Sequence, residues 1–423
     1  MLARTYKNIT YCTCGKALQA LSACVVLMCA SCASDTIVKE IEETDQNGTD
    51  PMKFTCQVTD DVQQSGATRA SSPLTSDFMV STYKSYAEST QQTVMDRYTV
   101  EYFTTGTAWD GTSRPYWDYT KVSGQIQRYW DYSHYPYRFH AIAPCPPNKS
   151  DFTLSSTEVK IPDDYSSQKC TNGRVTPEDN VAEPYLLSQV HRAADGKDTD
   201  ILAQDPSHPE INTSSSTLNR EVQMPFHHLN SKVRFAVYSL SPWVSANSLY
   251  VKDLTVKVSS TNFVTSASGF QATCDGTSNW RPSSSPYGFT GLTKDGTHPV
   301  LLSYTGVDSN GDLLPDNNLS ENQTQRTANF LQCPKGMMQL PQDGVEMKVS
   351  LKLIKPNQKT VYQELTDVSI KLDGESKFDW KPGYIYTYYL VIGGIPNKLE
   401  IEFTCTLTPW EDITGSLSTD LEQ

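Results

Sequence analysis

The sequence is short of cations and of long apolar runs. Its net charge is -13, with 35 Lys and Arg against 48 Asp and Glu. This balance argues against a nucleic-acid groove, which needs clustered Lys and Arg. The most apolar stretch, ALQALSACVVLMCAS, is shorter than the roughly 20 apolar residues of a membrane-spanning helix. No stretch keeps helical periodicity over three turns with caps at both ends, so a mainly helical protein is disfavoured.

Motifs of common enzymes and of zinc sites are absent as well. The sequence has no GxSxG nucleophile elbow and no HExxH helix. Beyond residue 32 it has no CxxC and no Cys/His pair at the spacing of metal ligands. We therefore predict no catalytic residue, no cofactor and no metal, although a fold alone never excludes catalysis.

Alternating apolar and polar residues recur along the chain, as in half-buried antiparallel strands. Clear cases are SKVRFAVY, LTVKVSS, VEMKVSLKLI and KLEIEFTCTL. With abundant Tyr, Thr, Ser and Val, this pattern predicts an all-β protein. The Pro- and Ser-rich SLSPWVSANS, residues 239–248, offers a break between two such regions. We predict two β-sandwich domains in tandem, an N-terminal one over 51–245 and a C-terminal one over 246–423.

Residues 1–32 have the features of a bacterial lipoprotein signal peptide. Arg4, Lys7 and Lys16 precede the apolar run, which ends in small residues before Cys32. In such signals the cysteine is lipidated and becomes the first mature residue. LSAC, ending at Cys24, is an alternative site, and a signal peptide without lipidation is another alternative. We predict lipidation of Cys32, followed by an acidic, flexible tether over 33–50.

A strand is predicted near the N-terminus, in PMKFTCQVTDDVQQSGATRA, residues 51–70. Met52, Phe54, Cys56 and Val58 fall on one face of this strand, which we place at 51–61. The polar run after it contains a single arginine, Arg69. Such a run is a typical site of proteolytic nicking.

Six cysteines follow Cys32: Cys56, Cys145, Cys170, Cys274, Cys333 and Cys405. They allow fifteen pairings, among which the sequence does not choose. Cys56 and Cys405 fall on apolar faces of predicted strands, which favours burial as small hydrophobic side chains.

Two further clusters each have a binding and a structural interpretation. Asp308, Asn310, Asp312 and Asp316 resemble a calcium loop, but Leu319 stands where an EF-hand has its bidentate Glu, so ordinary loop acids are favoured. YWDYTKV and RYWDYSHYPY combine Tyr, Trp and Asp as sugar-binding sites do. Aromatic residues of a sandwich core are the favoured interpretation.

Four stretches together resemble the Mfa-like fimbrillin family, the two-domain β-sandwich lipoproteins of type V pili. They are PYRFHAIAP at 136–144, MPFHHLNSKVRFAV at 224–237, FDWKPGYIYTYYLVI at 378–392 and IEFTCTLTPW, which ends at Trp410. Their order is the family's order. The stretches also have physical interpretations that need no family. WKPG has the composition of a type II turn, and a neutral His228 can hydrogen-bond to a nearby backbone group.

The resemblance implies transthyretin-like, Greek-key sandwiches in an exported outer-membrane lipoprotein. In that family a trypsin-like protease cuts after an arginine, the first strand is lost, and a strand of a neighbouring subunit fills the groove. Carried to this chain, Arg69 is the cleavage residue and 51–61 the removable strand. The partners are then the protease and other pilus subunits, and the mature protein lies in the fimbrium. A permanent edge strand, with Arg69 in an ordinary loop, is the alternative.

The expected position of the subunit in the pilus rests on the sequence after Trp410. After Trp410 the sequence EDITGSLSTDLEQ has no alternating apolar face that could fill a groove. We therefore expect a tip or accessory subunit that accepts a donor strand without giving one and that has a role in adhesion. The alternative function is an uncut surface lipoprotein that binds a glycan or a host ligand.

Overall fold

The computed structural model describes residues 50–60, 70–86, 90–162, 165–176, 185–202, 221–239, 241–274, 282–315, 318–319, 331–355, 360–395 and 398–409. Strands make up most of these residues, which confirms the all-β prediction. The helical segments among them are the short α1 (Pro242–Ala246) and a 3-10 turn at Lys149–Asp151. Within the described residues no helix is both long and apolar enough to cross a membrane.

The strands are, in chain order, β1 (Phe54–Asp60), β2 (Ala70–Pro73), β3 (Phe78–Tyr86), β4 (Thr90–Phe103), β5 (Tyr116–Asp118), β6 (Tyr137–Ala143), β7 (Thr153–Leu154), β8 (Glu158–Ile161), β9 (Tyr165–Ser166), β10 (Lys169–Thr171), β11 (Arg174–Thr176), β12 (Leu186–Arg192), β13 (Asp198–Asp200) and β14 (Val222–His228). They continue with β15 (Ser231–Ser239), β16 (Tyr250–Val258), β17 (Phe263–Ala267), β18 (Gly269–Cys274), β19 (Pro282–Thr290), β20 (Thr293–Asp295), β21 (Val300–Tyr304), β22 (Leu331–Gln339), β23 (Gln342–Val345), β24 (Met347–Lys355), β25 (Thr360–Ser369), β26 (Phe378–Trp380), β27 (Tyr384–Ile395) and β28 (Lys398–Pro409).

The chain divides into a small and a large unit. The small unit is described at 50–52 and 128–133, where Pro51 bridges Tyr129 and the Met52 amide donates to the Arg128 carbonyl at 2.8 Å. The large unit holds the strands of the described residues.

A nine-stranded sheet in the large unit curls around an aromatic core. Its order is β2-β1-β14-β12-β6-β3-β4-β5, with β13 paired to β12. In a flat sheet β1 and β3, four strands apart, would lie about 19 Å from each other. The ring centroids of Phe54 on β1 and Phe78 on β3 are only 5.9 Å apart. The sheet therefore bends back on itself and brings its first strand onto its middle strands.

Two further sheets share one hydrophobic core. One has the order β11-β10-β21-β16-β24-β25, and the other has the order β22-β15-β27-β28. Val256 and Val349 of the first lie in the same buried cluster as Val233 and Leu390 of the second. Another sheet, β19-β18-β8-β7, packs on the nine-stranded sheet, since Val159 and Phe270 share a cluster with Met79 and Ile142.

The remaining described sheets are small, β20-β17-β9 and β23-β26. Strand β15, inside the predicted first domain, pairs in parallel with β27. Strands β8 to β10 likewise pair with strands that follow residue 245. Sheet membership changes between His228 and Ser231, and some of the chain before residue 228 pairs with the later strands. The division into two sandwich domains with the stated bounds stays a prediction.

The disulfide Cys170–Cys333 joins β10 to β22 across a sequence separation of 163 residues. It settles one of the pairings that the sequence left open. Cys56 and Cys145 are free thiols, and Cys56 is buried. Cys405 is partly buried against the hydrophobic cluster, in agreement with its predicted packing role.

Candidate strand-exchange site

Strand β1 lies between two neighbours in the curled sheet. Residues 54–58 pair in parallel with 222–226 of β14, and residues 57–60 pair antiparallel with 70–73 of β2. The alternative that β1 is an edge strand is thus wrong, because β2 is the edge strand and β1 lies between β2 and β14. Since β2 begins at Ala70, a cut after Arg69 would leave β2 attached to the rest of the chain. We call the space that β1 fills between β14 and β2 the β1 slot.

The apolar side chains of β1 line one buried face. Phe54 and Val58 are each 3% exposed and Cys56 is 7% exposed. The Phe54 ring meets Tyr119 and Phe139 edge-on, with centroids 6.1 and 6.0 Å away, in addition to Phe78. Across the strand pair, Phe54, Cys56 and Val58 stand opposite Val222, Met224 and Phe226, all three fully buried. Gln57, on the other face, is exposed. Met52, the fourth predicted member of the apolar face, is also buried.

The burial of β1 makes it a firmly held strand. Burial of the Phe54 and Val58 side chains contributes about 3–6 kcal/mol together. Pairing on both edges adds backbone hydrogen bonds to this. A cut in the chain therefore does not by itself remove β1, and its departure requires a competing strand that restores the same contacts.

The surroundings of Cys56 disfavour its reactive thiolate form. Burial raises the pKa of its thiol well above the ordinary value, and the nearby Glu221 carboxylate adds to the rise. The thiol rather than the reactive thiolate is the state that the buried strand favours.

A buried ionic pair supports β14 on the side away from β1. Strand β12 pairs with β14 only at Leu186–His228 and Leu187–His227. The Arg192 guanidinium holds the Asp198 carboxylate through two bonds of 2.6 and 2.7 Å, and both side chains are fully buried. Arg192 also donates to the Glu221 carbonyl, just before β14, at 2.9 Å.

Strands β12 and β13 form a hairpin, and a second contact joins this hairpin to β14. It lies between His227 Nε2 and Asp200 Oδ2, at 2.8 Å. Side chains of β12 and β13 therefore hold β14 where backbone pairing does not. Sequence reasoning missed this cluster, because HRAADGKDTD, residues 191–200, has the composition of a solvated loop. An arginine and two aspartates at alternating positions on either side of a Gly turn were the available signal.

Several predicted site residues lie outside the described residues. These are Cys32 and the alternative Cys24, Arg69, Asp316, and Trp410 with the segment after it. The structure brings Phe54, Cys56 and Val58 together on one face.

The other candidate clusters are described in part. Tyr116, Trp117 and Tyr119 are buried, as expected of core aromatics. The Asp308 carboxylate accepts the backbone amides of Asn310 and Asp312 at 2.9 Å each, an arrangement that closes its own loop. In the described part of the chain no three His, Cys, Asp or Glu residues are grouped to hold a metal ion. His228 is buried at the end of β14.

Comparison with known proteins decides the family. The sequence model of the fimbrillin-like family matches residues 68–410. This chain belongs to the fimbrillin-like family. No curated protein sequence matches it.

Among solved structures, this fimbrillin-like chain is similar to a fimbrial protein from Bacteroides vulgatus, with 14% identity and a TM-score of 0.44, over 86% of this chain and 100% of the other. It is also similar to the tip fimbrial protein Mfa3 from Porphyromonas gingivalis with C-terminal truncation, at 10% identity and a TM-score of 0.24, over 85% and 100% of the two chains.

Proposed function

We propose that this chain is a fimbrial subunit whose first strand leaves the β1 slot after cleavage at Arg69 and is replaced by a strand of a neighbouring subunit. The family places the chain among structural subunits of the cell-surface fimbrium, which associate with other subunits. The observation that carries the finer proposal is the position of β1. It is the first described strand of the large unit, it fills a slot with an apolar floor, and Arg69 separates it from the next strand.

Export as an outer-membrane lipoprotein is the second part of the proposal. It rests on the charged start, the apolar run and Cys32. Cys32→Ala should release the protein from membranes, with Cys24→Ala as the matched control. Continued labelling of the Cys32 variant by radiolabelled palmitate would move the anchor to Cys24.

The place at the tip, or in an accessory position, is the third part. Strand β28 is paired with β27 along its whole length, from Lys398–Ile395 to Pro409–Tyr384. Giving β28 to another subunit would uncover Ile401 and Phe403 and the core beneath them, so the strand is costly to donate. Adhesion is the role that suits an end position. Truncation after Ile413 should leave assembly onto a cognate stalk subunit intact, and loss of assembly would make the tail a donor.

Limited trypsin digestion of the folded precursor tests the cleavage step. We expect the first cut at Arg69, detected by mass spectrometry as a fragment that begins at Ala70. Arg69→Gln should remove this cut, and Arg114→Gln, at an exposed arginine in another loop, should leave it unchanged. A labelled synthetic peptide of residues 52–60 should then exchange into the cut protein and not into the uncut protein. Early cuts within the strands with Arg69 left intact would refute the maturation step.

A further inference from the structure

A lysine stands on the outer side of the β1 slot, immediately before β1. Lys53 precedes Phe54 in the chain, and Glu221 likewise precedes Val222, the partner of Phe54 on the parallel strand β14. Side chains point alternately to the two faces of a strand. Lys53 and Glu221 are therefore neighbours on the face opposite the aromatic floor. The Val222 amide donates to the Lys53 carbonyl at 2.8 Å and fixes this register.

The loop between β4 and β5 completes the surroundings of Lys53. The Lys53 ammonium stands 5.6 Å from the centroid of the Trp109 ring, within the range of a cation–π contact. The Arg114 guanidinium lies 3.5 Å from the Glu221 carboxylate and 3.0 Å from that of Asp110. Burial raises the pKa of the Glu221 carboxyl, and Arg114 and Lys53 oppose this rise. We call Trp109, Asp110, Arg114 and Glu221 the slot rim.

The slot rim is held by bonds in which β1 takes no part. The Trp109 ring Nε1 donates to the Trp117 carbonyl at 3.3 Å. The Glu221 carbonyl accepts from the fully buried Arg192 at 2.9 Å. Both rim residues therefore keep their supports when β1 leaves. What they lose is the cation of Lys53.

The charges of the slot rim identify the strand that can replace β1. Without Lys53 the rim has the two carboxylates of Asp110 and Glu221 against the single guanidinium of Arg114, and the face of Trp109 is uncovered. We propose that the rim selects a donor strand with Lys or Arg immediately before the aromatic residue that takes the place of Phe54. This inference rests on the proposed strand exchange and adds to it a sequence requirement on the neighbouring subunit. Residues 411–423 contain no Lys or Arg, so this segment of a second copy does not meet the requirement.

Competition between short peptides for the cut full chain tests the proposal. The chain is cut with trypsin, the protease is inhibited, and a labelled peptide of residues 52–60 is exchanged into the β1 slot. Lys53→Gln in the peptide should weaken its binding about tenfold, because the cation–π contact and the attraction to Glu221 are both lost. The matched control peptide combines Lys53→Gln with Gln57→Lys, which keeps the net charge and moves the cation along the same outer face. It should bind as weakly as the Lys53→Gln peptide.

Substitutions on the slot rim should give the reciprocal result. In a chain with Glu221→Gln and Trp109→Leu, the unchanged peptide and the Lys53→Gln peptide should bind equally. A peptide of residues 411–423 should not displace the labelled 52–60 peptide from the unchanged chain. Equal binding of all the 52–60 peptides to the unchanged chain would overturn the requirement for a cation and would leave strand exchange intact.

Urea denaturation of the uncut chain separates this inference from the proposed function. Lys53→Gln and Glu221→Gln should destabilise the chain less together than the sum of their separate effects, since either substitution breaks the same contact. Additive effects would overturn the contact on which the inference rests, whether or not peptides exchange. Coupled effects in the uncut chain, with no exchange of the unchanged peptide into the cut chain, would refute strand exchange and the donor requirement with it.

Discussion

Replacing Phe54 by Ala tests how β1 is held in its slot. The ring is 3% exposed and meets three other rings edge-on, so its loss creates a cavity that the aromatic floor cannot easily fill. Truncation of a buried Phe to Ala costs about 3–5 kcal/mol. We expect a loss of this size in the free energy of unfolding, measured by urea denaturation of the full chain.

Gln57→Ala is the matched control, since Gln57 lies on the exposed face of the same strand. A surface substitution of this kind changes stability by roughly 0.5 kcal/mol or less. In the cut protein the same difference should appear in the affinity of a 52–60 peptide for the β1 slot. A 52–60 peptide with Phe54→Ala should bind at least about a hundredfold more weakly than the unchanged peptide, because 1.4 kcal/mol is about tenfold.

Similar losses for Phe54→Ala and Gln57→Ala would refute the reasoning. They would mean that backbone pairing alone retains β1 and that the aromatic pocket does not select the strand. A donor strand from a neighbouring subunit would then need no aromatic side chain at the position of Phe54.

Three further predictions concern the support of the slot and the stability of the fold. Arg192→Ala should cost about 3–5 kcal/mol in urea denaturation because it leaves Asp198 buried and unpaired. Arg114→Ala removes partly exposed ion pairs with Asp110 and Glu221 and should cost about 1 kcal/mol or less, and equal effects would contradict the buried pairing. Cys170→Ser with Cys333→Ser should cost about 5 kcal/mol by loop entropy for a separation of 163 residues, while Cys145→Ser should change the unfolding midpoint little. Burial lowers the pKa of His140 from 6.5 to about 3, so protonation favours the unfolded chain. The free energy of unfolding should therefore fall as the pH drops from 6.5 towards 3, by up to about 1.4 kcal/mol per pH unit, and His140→Gln should flatten this dependence.

The sequence predicts the strands better than it predicts their partners. The alternation of KLEIEFTCTL places β28 almost to the residue, because side-chain direction has a period of two along a strand. The same alternation places Phe54, Cys56 and Val58 on one face. It cannot show that β1 pairs in parallel with β14, 168 residues further on in the Phe54–Val222 pair, because pairing depends on the curl of the whole sheet.

The break predicted at residues 239–248 shows a second limit of prediction from local sequence. Pro and Ser do interrupt the strands there, and the short helix α1 forms. Yet β15, just before the break, pairs with β27, just over 150 residues later. Local composition marks where a strand ends, whereas the sheet that a strand joins is decided by long-range packing of its apolar face. The buried Arg192–Asp198 pair escaped for the same reason, since charged residues are read as solvent-exposed unless their partner is known.

The most direct test of the account is the N-terminal sequence of the chain in fimbriae isolated from its own cells, together with a search for peptides of residues 52–60. The account predicts a chain that begins at Ala70, no peptides from 52–60, and a strand of another subunit cross-linked beside β14. A chain in assembled fimbriae that keeps residues 52–60 joined through Arg69 would contradict it.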